Sequence, residues 1–255
     1  HGSVVASRLD DSRLLCVSPS GRAAGASATV NLDFTSSTSS DGTQIFSHPH
    51  GAARVVHGVL QLTSLDMLQT GSMSFAVASL RAATDFMVAF DVYMGGGPGG
   101  EGLSFNVGEL PPTYFGELGV RSGLSVQLLP VPKRVEVWYA HVLVAQSMVG
   151  VELRQRGFVH VTVAHGGDGL SVDVDGMRVI GNVTLAAWSP KASWTMGFGA
   201  RTGKTQHDLH AIDNVLVRVG SAYRTRQVPV EVSVNAQEYT SDAARFSYYA
   251  EPAVS

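Results

Sequence analysis

Short segments in which every second residue is apolar recur along this chain. Val135, Val137 and Tyr139 alternate with Arg134, Glu136 and Trp138, and Val159, Val161 and Val163 alternate with Phe158, His160 and Thr162. Val172 and Val174 alternate with Ser171, Asp173 and Asp175. Val215, Val217 and Val219 alternate with Asn214, Leu216 and Arg218, and Val230, Val232 and Val234 with Glu231, Ser233 and Asn235. A two-residue period places one set of side chains on one face of a pleated strand, and β-branched valine fits such a surface. Asp168-Gly169 and Asp175-Gly176 supply the positive φ angles that tight hairpins need. The nearest approach to a helical period, 70–83, is rich in Ser and β-branched residues and is expected to be strand or loop. The pattern predicts an all-β sandwich.

One stretch, GGGPGGEGLSFNVGE from Gly95 to Glu109, matches the spacing G-x-G-x-x-G at Gly95, Gly97 and Gly100. In a dinucleotide site those glycines open a helix whose free N–H groups face a pyrophosphate. Here Leu103, Phe105 and Val107 alternate with Ser104 and Asn106, the period of a half-buried strand. Pro98 also removes a backbone donor from the run. The stretch therefore reads as a flexible loop entering a strand.

Composition narrows the function classes. The 255 residues are 44% hydrophobic and 15% charged, with a formal charge of −3 and no basic run, so nucleic acid is not an expected partner. No apolar run approaches the ~20 residues that span a bilayer, and no direct membrane insertion is expected. Cys16 is the single cysteine, so an intrachain disulfide is impossible; a buried thiol or a partner elsewhere are both open. Asn182-Val183-Thr184 is a glycosylation acceptor and tilts the reading towards an extracellular or cell-surface setting. Beginning at His1 without an initiator Met, the chain is expected to be a segment of a larger multidomain protein.

The central segments follow the order VNLDF, HGVLQLT, FMVAFDVYM, GGEGLSFNVGE, GLSVQL, VEVWY, GFVHVTVAH, GLSVDVDGMRV, NVTLAAWSP and WTMGFGARTGKTQHDLHAIDNVLV. In order and spacing they resemble the concanavalin A-like lectin/glucanase family over about three quarters of the chain. GEGLSF is similar to the family's G-D-G-x-x-F, and GFGARTG followed by HDLHAIDNV is the other specific piece. The resemblance implies a jelly-roll sandwich over 28–220. It also implies a sugar site at Glu101, which matches the family's acidic residue with a side chain one methylene longer. A carboxylate accepts two hydroxyls at once. Gly99 and Gly100 would let the backbone approach the ligand, and Thr202, Gly203, Lys204 and Gln206, in the loop Arg201–Gln206, would add polar contacts. Plant lectins of this fold hold calcium and a transition metal with paired carboxylates on the strand that matches Ser125 to Leu129. That strand reads Ser-Val-Gln-Leu-Leu and offers no hard anion, so neither a metal nor any other cofactor is expected.

The chain ends resemble a different family. SRLLCVSP, Ser12 to Pro19, is similar to the C-x-S-P strand of TIG (IPT) immunoglobulin-like domains, and VPVEVSVNAQEYT and ARFSYYAEPAV look like its two closing strands. The implied organisation is a lectin-like sandwich inserted between Pro19 and Val228, with 1–27 and 221–255 as parts of one discontinuous TIG domain. Insertion of this kind requires the strands VNLDF and NVLVRV to pair with each other.

Other constellations compete for attention. His207 to Asp213, HDLHAID, packs two imidazoles and two carboxylates together, which suits zinc or, alternatively, hydrogen bonds that tie the loop to a neighbouring strand. Alternation puts His207 and Asp213 on one face, and Asp208, His210 and Ile212 on the other. Asp173 and Asp175 share a strand face, but the Glu-x-Asp-x-x-Glu run of glycosidases with this fold is absent, and Asp175-Gly176 is explained by a hairpin. His48-Pro49-His50 reads as a loop. Trp138, Trp188 and Trp194 suit either packing or a stacking face for a sugar. No catalytic residue is assigned and the chain is expected not to be an enzyme. The expected role is metal-free carbohydrate binding; the alternatives are a structural or adhesive contact with a neighbouring protein and, third, glycoside hydrolysis.

Overall fold

The computed structural model describes residues 6–10, 13–16, 28–35, 49–76, 85–154, 157–191, 193–220, 226–229 and 245–248. Among these every regular element is a strand. One sheet of seven strands runs, in spatial order, β12 (Val142–Met148), β11 (Lys133–Tyr139), β10 (Leu124–Pro130), β9 (Leu103–Gly108), β16 (Thr195–Arg201), β7 (Thr70–Phe75) and β4 (His50–Gly51). The other, of eight, runs β15 (Met177–Val183), β14 (Gly169–Val174), β13 (Val159–Gly166), β8 (Phe86–Gly95), β17 (Leu209–Val219), β6 (Val59–Thr63) and β5 (Arg54–Val56), with β3 (Ala28–Leu32) also pairing β17. All pairings in the two sheets are antiparallel.

The valine alternation becomes burial. Val159, Val161, Val163, Val172, Val174, Val215, Val217 and Val219 are buried, whereas Phe158, His160 and Asn214 between them are exposed. The two inner faces meet through Phe90 of β8, whose ring lies 5.8 Å from Phe105 of β9 and 4.9 Å from Phe198 of β16. Each such fully buried ring contributes about 1.5–3 kcal/mol of transfer free energy. Asp175 (φ 49) and Gly176 (φ 76) turn β14 into β15, as Asp-Gly at that place predicts. Of the segment 70–83, Thr70–Phe75 is strand, in β7, and 77–83 lie outside the described residues. The segment containing Val230, Val232 and Val234 lies outside the described residues.

The expected contact between the opening and closing ribbons is present: Asn31 faces Leu216 and Val30 faces Val217. At the ends, β1 (Ala6–Asp10) pairs with β2 (Arg13–Cys16), and β18 (Arg226–Pro229) pairs with β19 (Arg245–Tyr248). Cys16 closes β2 opposite Ala6.

One expectation fails. β9 is not half-buried: Ser104 and Asn106 are as inaccessible as Leu103, Phe105 and Val107. Segment 110–122 lies across the outer face of the seven-stranded sheet and hydrogen-bonds to its polar side chains. Ser104 Oγ donates to Gly116 O (2.9 Å), Asn106 Oδ1 accepts from Val120 N (2.9 Å), and Gln127 Nε2 donates to Leu118 O (2.8 Å). Phe115 N donates to Ser72 Oγ (3.2 Å), and Gly199 makes room, since a Cβ there would fall 2.6 Å from Phe115 Cδ2. Polar residues on a strand thus mark a covered face whose cover is backbone. Glu136 is likewise buried; its carboxylate accepts from Arg134 Nε (2.6 Å) and Trp138 Nε1 (2.9 Å).

Candidate functional site

The glycine run joins β8 to β9 as a loop, with Gly96 (φ 84) and Gly102 (φ 108) in conformations that L side chains avoid. The loop lies flat on residues 207–210. Gly97 N donates to Asp208 Oδ1 (3.1 Å), and a Cβ at Gly97 would collide with the carbonyl oxygen of His207. A Cβ at Gly100 would fall 2.9 Å from His210 Nε2 and 3.1 Å from Asp208 Oδ2. Gly99 is covered by the Gln206 side chain, with Cγ 3.3 Å from its Cβ position. Gly99 and Gly100 are both buried, so their missing side chains admit the protein's own loop and strand, not an incoming ligand.

Beneath the loop, Asp208 is fully buried and is held by Arg154: Nε to Oδ2 at 2.5 Å and Nη2 to Oδ1 at 3.1 Å, with a further bond from Nη2 to Gly97 O at 3.2 Å. The hydrogen bond with Asp208 raises the Arg154 pKa. His210 is also fully buried. Thr63 Oγ1 donates to Asp208 O (3.1 Å) and lies 2.7 Å from His210 Nδ1. With its proton committed to the carbonyl, Thr63 accepts from Nδ1–H, leaving Nε2 as a bare lone pair without a hydrogen-bond partner. Burial lowers the His210 pKa to about 4, Asp208 opposing and Arg154 reinforcing the effect. Asp208, His210 and Ile212 do share the buried face, and His207 and Asp213 are half-exposed. Asp208 and Arg154 moor the glycine loop, and no group of three His, Cys, Asp or Glu residues able to hold a metal occurs among the described residues.

Glu101 follows this moored loop and is half-buried. A Cβ at Gly203 would lie 2.6 Å from its Oε1, and Arg201 Nη2 lies 3.7 Å from its Oε2. Arg201 is itself fixed by the buried Glu117, with Nε to Oε2 at 2.9 Å and Nη2 to Oε1 at 2.6 Å, a fork-to-fork pair that raises the Arg201 pKa. Loop 201–206 closes through Gly203 N to Gln206 O (2.7 Å). Thr202 turns inward: its hydroxyl donates to Asp66 O (2.9 Å) and accepts from Gln69 N (2.8 Å), so it anchors the loop and has no donor left for a ligand. Lys204 and Gln206 are exposed. Glu101, Gly203, Lys204 and Gln206 thus belong to one surface with Arg201. Glu117, Arg154, Asp66 and Gln69, which hold it, carried no local signal; each meets its partner across 54 or more residues of chain.

The remaining candidates are occupied by the protein itself. Asp173 pairs with Arg178, and Asp175 Oδ1 accepts from His160 N (3.0 Å) at the hairpin. Arg121 sits 3.7 Å over the Trp138 ring. Trp188 and Trp194 pack edge to face at 5.6 Å. His50 lies in β4, and His48 lies outside the described residues. Asn182 is exposed on β15.

No protein-family model and no curated protein sequence matches this chain. Solved structures do. The exoplasmic/lumenal domain of VIP36, in a form with calcium and mannose bound, matches with a TM-score of 0.61 and 14% identity over 73% of this chain and 88% of that one. The carbohydrate recognition domain of Emp47p matches with a TM-score of 0.56 and 14% identity over 75% and 94%. Peanut lectin matches with a TM-score of 0.58 and 19% identity over 76% and 98%. The chain therefore has the concanavalin A-like jelly-roll fold that these lectins share.

Proposed function

We propose that this chain is a non-catalytic carbohydrate-binding domain, that its site is Glu101 with Gly203, Lys204 and Gln206, and that it binds without metal. The observation that carries this reading is the closeness of the Glu101 carboxylate to the backbone of Gly203, with Arg201 at 3.7 Å on its other side. An ionised carboxylate held in one orientation accepts bonds from two neighbouring sugar hydroxyls, while Lys204 and Gln206 supply donors. The Arg154–Asp208 pair beneath the loop and the Glu117–Arg201 pair beside it supply the fixed orientation. The lectin fold adds support, since the VIP36 domain with this fold is solved with mannose and the Emp47p domain is a carbohydrate recognition domain.

VIP36 is also solved in calcium-bound and metal-free forms. The residues of β10 offer calcium no anion: Ser125 and Gln127 are neutral, and the backbone of Leu118 and Gly119 lies over them, Leu118 O accepting from Gln127 Nε2. Binding in the present chain rests instead on two ion pairs whose carboxylates, Asp208 and Glu117, are buried. Asp173 is tied to Arg178 and Asp175 holds the His160 amide, and we read the module as non-catalytic, in line with the lectin domains that share its fold. We place the domain in a lumenal, extracellular or cell-surface setting, as for the exoplasmic/lumenal VIP36 domain, where the exposed Asn182 sequon is open to glycosylation. The ends, 1–27 and 221–255, we read as parts of one TIG domain that carries the sandwich in a larger chain.

A glycan array tests the reading. Glu101→Ala should abolish binding and leave stability within about 0.5 kcal/mol, as for an accessible side chain. A chelator should leave wild-type binding unchanged; binding that disappears on chelation and returns with calcium overturns the metal-free part. A second reading, contact with a neighbouring protein, is favoured by β12, a sheet edge without charge or proline on which Val142, Leu143 and Met148 are exposed. Wild-type protein that binds no glycan, together with a large buried contact to a neighbouring chain, would favour it.

A further inference from the structure

The outer face of the eight-stranded sheet carries an apolar hollow of about 290 Å³ that the sugar reading leaves unused. Val56 and Val59 of the β5–β6 hairpin, Tyr93 of β8, Leu209 and Ala211 of β17, and Phe158 just before β13 wall it. The Tyr93 and Phe158 rings lie 5.9 Å apart, and Phe158 is 48% exposed. Gln61 also reaches the hollow, but its amide is already spent, Nε2 donating to Thr63 O at 3.2 Å. The lining therefore favours an apolar group over a hydroxylated one.

One row further along the same face the lining becomes charged. His160, Asp91 and Asp213 lie side by side on β13, β8 and β17, each two residues along the chain from Phe158, Tyr93 and Ala211. Asp91 and Asp213 are directly opposed in register, and like charges so placed destabilise a sheet. A bulge in β17 holds them there. Its Asn214 (φ 50) gives backbone N to Asp213 Oδ1 and Nδ2 to Asp91 Oδ2, both at 2.8 Å, while His160 Nδ1 lies 2.7 Å from Asp91 Oδ1. Among the described residues no Lys or Arg pairs with either carboxylate. The cations of the neighbourhood stand apart, Arg54 opposite Gln61 on β5 and Arg218 opposite Met87, four residues from Asp91. An apolar hollow thus adjoins two carboxylates that no cation of the fold neutralises beyond His160.

We propose that this face docks an extended segment of a partner protein, which puts an apolar side chain into the hollow and, two residues on, a lysine or arginine onto Asp91 and Asp213. The spacing matches: alternate residues of an extended chain are about 7 Å apart, the interval between the two rows. Apolar burial supplies the affinity, and the charges fix direction and register. None of these residues belongs to the proposed sugar site, so the two readings stand or fall separately.

The test is a random heptapeptide library displayed on phage, panned on the wild-type domain and counter-selected on Phe158→Ala. Enriched sequences should share an apolar residue followed two positions later by Lys or Arg. A synthetic, end-capped peptide of that sequence is then titrated by fluorescence anisotropy into variants first shown by thermal unfolding to be folded. Phe158→Ala should bind it about tenfold more weakly than wild type. Asp213→Asn, which keeps the oxygen that accepts from Asn214 N, should bind about threefold more weakly at about 0.05 M salt and equally at about 1 M. Glu101→Ala should bind as wild type does. No enriched sequence, an enriched sequence without the basic residue, or a peptide that binds either variant as well as wild type at low salt overturns the proposal. A dimer in sedimentation that Phe158→Ala disperses also overturns it, by giving the face to a second copy of this chain.

Discussion

His210 offers a direct test of how the site is built. The imidazole is fully buried against Gly100 and Asp208, and its Nε2 has no partner to receive a proton from or share one with. Burial lowers its pKa from 6.5 to about 4. Between those two values the unfolded chain takes up a proton that the folded chain refuses, so stability that is present above pH 6.5 is lost as the pH falls towards 4. At about 1.4 kcal/mol per pH unit, the whole displacement is worth about 3 kcal/mol. The perturbation is His210→Gln, which keeps a donor for Thr63 and does not titrate. Urea unfolding of both proteins from about pH 7 down to about pH 4.5 cancels the carboxylates they share. Wild type should lose about 2.5 kcal/mol more than the variant over that range. A difference between the two that stays flat within about 0.5 kcal/mol would mean that His210 is hydrated or already charged, and that the glycine loop does not close over it.

Two further outcomes follow from the contacts around the loop. Arg154→Met leaves the buried Asp208 carboxylate unpaired and should cost about 3–5 kcal/mol in denaturant unfolding, with Asp208→Asn in the same chain recovering part of the loss in a double-mutant cycle; additive effects would show that the two do not form the mooring pair. Gly203→Ala introduces a Cβ 2.6 Å from Glu101 Oε1, the far end of a flexible side chain, so stability should change by less than about 1 kcal/mol while glycan affinity falls by more than about tenfold; unchanged affinity would separate Gly203 from the binding surface.

The alternation of Val159, Val161 and Val163, or of Val172 and Val174, determined strand and inward face by itself, because a two-residue period is a local property of the backbone. The Asp175-Gly176 hairpin was legible for the same reason, and the ordered motifs GEGLSF and GFGARTG pointed to Glu101 and to loop 201–206. Tertiary structure alone decided what those residues do. Ser104 and Asn106 look like a solvent face until segment 110–122 is laid over them, and Gly100 looks like room for a ligand until His210 fills it. Thr202 looks like a donor for a ligand until its hydroxyl is found donating to the backbone carbonyl of Asp66. Arg154 and Asp208 are 54 residues apart, and Arg201 and Glu117 are 84 apart. Pairing at such separations is set by which strands become neighbours in the sheets, a property of the whole chain's packing that no short window of sequence contains.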